Sequence, residues 1–164
     1  MGDKGHSCSN KALFQMKSME EFFRYFTNEE IKDTMQIKNS FFLADKGLMD
    51  IKSRISQEPF SIGLFLGEVK NNNFIPGANL LDMVSKKTDK KIFVNRKTGW
   101  LFLCGRDVFG RGIVKADVKK GLVLVQNEND ENLGYGEITA DLSVQDKVVV
   151  KNLFDRGNFL RWEK

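Results

Sequence analysis

After Lys90 the sequence becomes a series of short apolar segments separated by glycine and polar turns, and this pattern limits the possible folds most. Short segments rich in Val, Ile, Leu and Phe, recurring at close spacing, are typical of the strands of a small β-barrel. We predict a short helix or turn over residues 155–161. The predicted strands are residues 91–95, 99–103, 113–117, 122–126, 133–138 and 148–150.

Before Lys90 helical and strand patterns alternate. Ser18 and Glu21 have the spacing of a capping box, which predicts a helix with a phenylalanine-rich apolar face after Ser18. Thr27 and Glu30 have the same spacing and predict another helical turn. Further elements are a strand at residues 41–43, a helix at 47–55, a strand at 60–69, a turn at 71–73 and a helix from Pro76 to Val84.

The sequence therefore predicts an α+β protein of two domains. An N-terminal α/β domain is expected over residues 11–90, and a C-terminal β-barrel over residues 91–164. Residues 86–90 are charged and carry no apolar anchor, so we predict that they form the linker. A chain of 164 residues is long enough for one mid-sized domain or for two small ones that share an interface.

The positive charge is concentrated at the C-terminal end. Up to Lys90 the chain has 13 basic and 12 acidic residues, and from Lys91 onward it has 13 and 10. The last eighteen residues alone contain five basic and two acidic side chains. A basic end suits a polyanionic partner, and the alternative is ordinary surface charge.

The residues needed for common catalytic and metal sites are missing. His6 is the only histidine and lies in the polar N-terminal tail, and Cys8 is far in sequence from Cys104. Gly105 and Gly110 have the glycine spacing of a phosphate-binding loop, but Arg111 and Gly112 follow where Lys and Ser or Thr are required. We therefore predict no catalytic residues, no metal and no cofactor.

The same features predict an intracellular protein that does not enter a membrane. No apolar run reaches the length of a membrane span, and no signal-peptide pattern opens the chain. Cys104 lies inside the apolar run of residues 100–104, and a buried free thiol there fits a reducing compartment. We also expect a monomer.

Residues 99–114 form the first informative segment. An apolar stretch meets Gly105, a short helical turn follows, and a Gly-Ile-Val strand start comes after it. This segment resembles the opening of the PUA domain, the RNA-binding barrel of pseudouridine synthases and archaeosine transglycosylases. In that family the glycines let a phosphate approach the main chain. The alternative is a tight crossover with no ligand.

Residues 147–161 form the second segment, a strand that leads into a basic, glycine-containing end. It resembles the C-terminus of a group of PUA proteins, the ribosome-biogenesis factors called "Nip seven". In the N-terminal half, Gly63 and Gly67 resemble the paired glycines of that family's strand. Pro76 followed by Leu80 and Leu81 resembles its next helix. The resemblance runs in order from about Ser40 to Arg161.

The resemblance implies a non-catalytic RNA-binding protein with an α/β N-terminal domain and a C-terminal PUA domain. It implies single-stranded U- or A-rich targets, a role in pre-rRNA processing for the large ribosomal subunit, and other ribosome-assembly proteins as partners. The location would be the cytoplasm in an archaeal host and the nucleolus or nucleus in a eukaryotic one.

The family's RNA-contacting basic residues fall on Lys147 and Lys151 in this sequence. Two neighbouring positions that are basic in archaeal relatives are Val148 and Phe154 here. We therefore expect further phosphate contacts from Arg156, Arg161, Arg106 and Arg111. Base stacking would need exposed aromatic side chains, and the candidates are Trp100, Tyr135 and Trp162.

Two other functions remain open. The chain could be a protein–protein interaction adaptor whose N-terminal domain is the working surface. It could also be an RNA-binding accessory subunit of an RNA-modification enzyme or of a translation factor.

Overall fold

The computed structural model describes residues 16–161. The helices of this part of the chain are α1 Met19–Thr27, α2 Lys46–Arg54, α3 Ala78–Ser85, α4 Arg96–Leu103 and α5 Asn158–Arg161. The strands are β1 Thr34–Ile37, β2 Ser40–Leu43, β3 Leu64–Lys70, β4 Asn73–Pro76, β5 Lys91–Val94, β6 Val108–Phe109, β7 Ile113–Ala116, β8 Gly121–Gln126, β9 Asn132–Ile138 and β10 Val148–Asp155.

The strands form two sheets. The first is an antiparallel sheet in the order β1-β2-β3-β4, and the second is a six-stranded mixed sheet in the order β6-β10-β9-β8-β5-β7. Only the β5–β8 pair of the second sheet is parallel. A 3-10 turn at Gly110–Gly112 joins β6 to β7, the two edge strands of this sheet. The sheet is therefore curled until one short turn connects its edges.

Helix α1 begins as the capping pattern predicts. Ser18 Oγ accepts from the Glu21 N–H at 3.1 Å, and Glu21 Oε2 accepts from the Lys17 N–H at 2.8 Å. The prediction of a second helical turn after Thr27 is wrong. Asn28 adopts a left-handed conformation that ends α1, and Thr27 Oγ1 donates back to the Phe23 carbonyl at 2.8 Å.

The predicted strand at residues 99–103 is also wrong, because α4 occupies this position. Asn95 caps the helix, its side chain accepting from the Thr98 N–H at 2.9 Å. Within the run, Gly99 and Phe102 are buried while Trp100 and Leu101 are exposed. This spacing of three is helical, so a continuous apolar run was mistaken for a buried strand. Cys104 follows the helix and is exposed, which corrects the predicted buried thiol.

One hydrophobic core contains residues from both halves of the chain. It joins α1, α3 and the first sheet to β8 and β10, with the buried side chains Met19, Phe22, Phe23, Phe26, Phe41, Leu66, Phe74, Leu80, Leu81, Val84, Leu122, Leu124 and Phe154. A second core lies inside the curled sheet, around Ile92, Val94, Phe102, Val108, Val123, Val125, Val149 and Val150. The two halves therefore share packed apolar surface.

Residues 86–90, the predicted linker, make several contacts. Thr88 is 7% exposed, and its Oγ1 accepts from the Lys90 N–H at 3.1 Å. Lys90 Nζ donates to the Tyr25 carbonyl and lies 4.0 Å from the centroid of the Tyr25 ring. Lys87 forms an ion pair with Glu29. The segment is thus anchored to α1 and its flank, and the division of the chain at residue 90 stays a prediction.

Candidate nucleic-acid interface

Strand β10 and the segment before β6 are held together by one asparagine. The Asn152 main-chain N–H donates to Asp107 Oδ1 at 2.8 Å, and Asn152 Nδ2 donates to the Phe102 carbonyl at 2.9 Å. Asn152 thus satisfies a carbonyl at the C-terminal end of α4, where helix carbonyls lack partners within the helix. This arrangement fixes α4, the turn after it and β10 as one surface.

The two glycines of the 3-10 turn between β6 and β7 are required by packing. A Cβ at Gly110 would lie 2.1 Å from the Val144 carbonyl oxygen, and one at Gly112 would lie 2.2 Å from Thr98 Oγ1. The Gly110 N–H donates to the Lys147 carbonyl at 3.2 Å, and the Arg111 N–H donates to the Gln145 carbonyl at 3.1 Å. The 3-10 turn is therefore packed closely between α4 and the segment that leads into β10.

Four of the six predicted cations lie along this surface. Arg106 precedes β6, Arg111 lies in the 3-10 turn, and Lys147 and Lys151 lie just before and within β10. Cross-strand pairing of Val148 with Phe109 sets the two segments side by side. Lys147, Arg106 and Arg111 are exposed, and Lys151 is half-buried. We call these four residues the cationic face.

Two members of the cationic face have no carboxylate partner within residues 16–161. Neither Arg106 nor Lys147 makes an ion pair in that part of the chain. Arg111 pairs with Asp146 at 3.2 Å, but both side chains are more than half exposed. Such a pair contributes little to stability and is easily exchanged for another anion. The guanidinium of Arg111 also lies 5.1 Å from the centroid of the Phe109 ring.

Arg156 does not belong to the cationic face. Its Nη2 donates to the Asp82 carboxylate and to the Ala78 carbonyl at 3.2 Å, both on α3. The Arg156 main-chain N–H donates to the Leu133 carbonyl at 2.9 Å. The side chain is therefore engaged between β10 and α3 rather than pointing along the surface of Arg106 and Lys147.

Arg161 is engaged in a second ion pair. Its Nη1 and Nη2 donate to the two carboxylate oxygens of Asp155 at 2.9 and 2.8 Å, and Nη1 also donates to the Leu103 carbonyl. Asp155 is 3% exposed, so the pair satisfies a buried carboxylate. The hydrogen bonds to Asp155 raise the pKa of Arg161 above its usual value. The hydrogen bond from Arg161 to the Leu103 carbonyl holds α5 against the end of α4.

Sequence analysis missed part of the surface because it assigned α4 as a strand. Arg96, Lys97 and Trp100 are all exposed on this helix, and Trp100 is 68% exposed. Arg96 and Trp100 are four residues apart and therefore share one helix face. That spacing was present in the sequence and would have been informative if the segment had been assigned as a helix.

The other aromatic candidates have different positions. Tyr135 packs between Phe22, at a ring separation of 5.3 Å, and Phe154, at 6.4 Å, so it belongs to the core rather than to a stacking surface. Burial raises the pKa of Tyr135 to about 12. Trp162 lies outside the described residues. Trp100 is therefore the candidate that the structure leaves exposed for stacking.

A polar cleft of about 900 Å³ lies where α3, residues 86–91 and the β8–β9 turn meet. Of its four lining cations, Lys87, Lys91 and Arg156 are paired with Glu29, Asp130 and Asp82, and Lys86 makes no ion pair within residues 16–161. Because three of these four charges are neutralised, the cleft is less suited to phosphate than the cationic face.

Within residues 16–161 no cluster of three or more His, Cys, Asp or Glu side chains is placed to hold a metal ion. In the same part of the chain no helix has the length and apolarity to cross a membrane.

Comparison with known proteins relates the curled sheet to one class of domain. Residues 90–164 match the family model described as "UPF0113 PUA domain". A UPF0113 protein from Archaeoglobus fulgidus is 36% identical in an alignment of 86 residues, and the alignment covers 48% of this chain and 49% of that protein. The chain therefore spans about half the length of this curated relative.

Two solved structures are similar. A conserved PUA domain protein from Thermoplasma acidophilum aligns with a TM-score of 0.58 at 15% identity, over 86% of this chain and 88% of the other. A hypothetical protein from Pyrococcus horikoshii aligns with a TM-score of 0.46 at 18% identity, over 74% of this chain and 72% of the other.

The family match assigns residues 90–164 to the PUA class of domain. The matching model is the UPF0113 PUA domain.

Proposed function

We propose that this protein binds single-stranded RNA through the cationic face together with the outer side of α4. The observation that carries the proposal is the placement of Arg106 and Lys147, exposed and without ion pairs within residues 16–161, on one fixed surface that borders α4, the helix that carries the exposed Trp100. The PUA class of the C-terminal half supports RNA as the ligand, because PUA domains bind RNA generally.

The chemistry of this surface suits an unpaired strand. Lysine and arginine neutralise phosphates and release counterions, which gives affinity without reading sequence. Trp100 adds a flat apolar face on which an unstacked base can lie, and Arg96 and Lys97 begin the same helix. A duplex keeps its bases stacked, so this aromatic contact is available only to a single strand.

We further propose a non-catalytic ribosome-assembly factor that acts in pre-rRNA processing with other assembly proteins. The support is the ordered resemblance of residues 40–161 to the "Nip seven" group, which also favours U- or A-rich targets. Such a factor would act where ribosomes are built, in the cytoplasm of an archaeon or the nucleolus of a eukaryote.

The direct test is binding of the full chain to fluorescent single strands of poly-U, poly-A and poly-C, with duplex RNA of equal length as the control. We expect tighter binding to U- or A-rich single strands than to duplex. We also expect log affinity to fall with log salt by about 0.7 for each phosphate neutralised. Equal affinity for duplex and single strand, or affinity independent of salt, would contradict the proposal.

A second experiment addresses the assembly role. The tagged protein is recovered from cells of its own host, and the associated RNA is identified. Large-subunit pre-rRNA is expected for an assembly factor. One modification enzyme or a translation factor recovered without pre-rRNA would favour the accessory-subunit alternative instead.

A protein–protein adaptor is the second candidate function. The observation that favours it is a group of exposed apolar side chains in the N-terminal half, between α2 and the start of β3. The RNA-binding experiment separates the two candidates, because an adaptor of this kind needs no affinity for RNA.

A further inference from the structure

The segment from α2 to the start of β3 leaves large apolar side chains in solvent. Helix α2 buries none of its side chains, although its Ile51 and the C-cap residue Ile55 have helical spacing. Scattered apolar residues are normal on a surface, whereas several in one short segment mark an interaction site. The exposed fractions are 55% for Ile51, 51% for Ile55, 96% for Phe60, 41% for Leu64 and 36% for Phe65.

A groove of about 490 Å³ lies beside this segment, between the β1–β2 hairpin and residues 58–61. Phe42 is 5% exposed and lies in the groove, with its ring 5.8 Å from that of Phe65. Ile37 of the edge strand β1 also lines it. Phe60 forms part of the wall and is almost fully exposed. The same small surface therefore carries a projecting aromatic ring and an apolar hollow.

The charges that line the groove have opposite signs. Lys38 and Glu58 both line it, and neither makes an ion pair within residues 16–161. A partner of uniform charge would meet one attractive and one repulsive group here. A second copy of the same surface, turned by a two-fold axis, can present Glu58 to Lys38 and Lys38 to Glu58.

We propose that this groove is the interface of a symmetric homodimer. A two-fold interface uses the same patch on both subunits and must be self-complementary. The groove meets this requirement twice, in shape through Phe60 and the hollow, and in charge through Lys38 and Glu58. Phe60 of each copy inserts into the groove of the other. The proposal replaces the monomer expected from the sequence and does not depend on RNA binding.

The first measurement is the mass of the full chain by sedimentation equilibrium from about 1 µM to about 1 mM, a range that covers dimer affinities from tight to weak. We expect the mass to rise from 18.8 kDa to twice that value. A mass that stays at 18.8 kDa throughout this range overturns the proposal.

The second measurement uses variants. Phe60→Asp places a charge in the centre of the interface and should weaken dimerisation by about 30-fold or more, as for an interface hot spot. Val114→Asp is the matched control, because Val114 is 62% exposed on β7 in the other half of the chain. Its mass curve should be unchanged. Equal effects of the two variants would overturn the assignment of the interface.

A charge exchange tests the pairing itself. Lys38→Glu and Glu58→Lys should each weaken the dimer by about threefold to tenfold, and the double variant should recover most of this loss. A double variant that is as weak as the single variants overturns the two-fold arrangement. Because both side chains lie at the surface of the groove, the exchange remains informative even if Phe60→Asp fails to fold.

Discussion

Arg156 donates to the carboxylate of Asp82 and to the main-chain oxygen of Ala78 at 3.2 Å, so that the end of β10 is joined to α3. The side chains of Arg156 and Asp82 are 31% and 47% exposed. From the sequence alone, Arg156 and Arg106 were equivalent basic residues near glycines. In the folded chain one guanidinium is engaged across the two halves, and the other makes no ion pair within residues 16–161.

A matched pair of substitutions separates these roles. Arg106→Met should weaken RNA binding by about threefold to tenfold, because a phosphate contact is lost, and should leave the melting temperature unchanged. Arg156→Met should change RNA affinity by less than about twofold and lower the unfolding free energy by about 1 kcal/mol. Binding titrations and thermal melts measure both. The reverse pattern would show that Arg156, and not Arg106, contacts RNA.

The double variant Arg106→Glu, Lys147→Glu tests the electrostatic origin of RNA affinity. We expect weaker binding to all single strands alike and a log-affinity against log-salt slope flatter by about 1.4, for two lost phosphate contacts. Preference between poly-U and poly-C should hardly change, since phosphate contacts carry no direct sequence information. Charge reversal at the exposed Lys32 and Lys46 of the N-terminal half is the control. A larger loss in the control would move the site away from the PUA domain.

Trp100→Ala tests base stacking. We expect a loss of about 1–3 kcal/mol in binding, similar for different single strands, because every base offers a stacking face. The melting temperature should hold, since the side chain is 68% exposed. In a Trp162→Phe background, RNA should quench the fluorescence of Trp100 directly. Unquenched fluorescence at saturating RNA would exclude stacking on this residue.

The raised pKa of Tyr135 predicts that the folded protein loses stability in alkaline solution. Burial raises its pKa from 10.0 to about 12 in the folded chain. The neutral phenol is therefore favoured by folding. The contribution of this pKa difference to the free energy of unfolding is fully present below pH 10. It is lost as the pH rises from 10 towards about 12. The slope in this window is about 1.4 kcal/mol per pH unit.

Denaturant unfolding of the wild-type chain and of Tyr135→Phe, at pH values on both sides of 10, measures this contribution. The difference between the two proteins should be constant below pH 10 and change above it. Tyr25, whose pKa is also raised, chiefly by burial, is present in both proteins and cancels. A difference that does not vary with pH would contradict the burial of the Tyr135 phenol.

Substitution of Phe22 tests whether the N-terminal and C-terminal halves of the chain unfold together. It is fully buried, and its ring lies 5.8 Å from Phe74 of the first sheet and 5.3 Å from Tyr135 of the second. Phe22→Ala should lower the unfolding free energy by about 3–5 kcal/mol. Circular dichroism and tryptophan fluorescence should report one coincident transition in both proteins. Two separate transitions, with proteolytic cleavage at residues 86–90, would support independent domains instead.

Much of the fold could be predicted from local patterns. Ser18 and Glu21 marked the start of α1, and short apolar segments between turns marked β5 and the central strands β8 and β9 of the curled sheet. At Gly134 the backbone of β10 approaches closely, because a Cβ there would lie 2.1 Å from the Phe154 carbonyl oxygen. These features depend on capping, pleating and backbone sterics within a few residues of chain.

The rest was decided by tertiary contacts. Residues 99–103 read as a strand because an apolar run alone does not reveal which side chains face the core, and α4 buries Phe102 while it exposes Trp100. The helical spacing of Ile51 and Ile55 predicted the helix at residues 47–55, but it did not reveal that both side chains are exposed because no described element covers that face of α2.

The sequence by itself determined the composition of the chain: a β-rich C-terminal half with the pattern of a PUA domain, a basic end, and a set of arginines and lysines. Only the tertiary structure decided which of those cations are paired with carboxylates and which remain available to a ligand. A charge is available to a ligand when no nearby carboxylate neutralises it, and Asp82 and Asp155 reach Arg156 and Arg161 only after folding, over separations of 74 and 6 residues. Arg106 and Lys147 meet no such carboxylate within residues 16–161, and for that physical reason they remain the centre of the proposed RNA site.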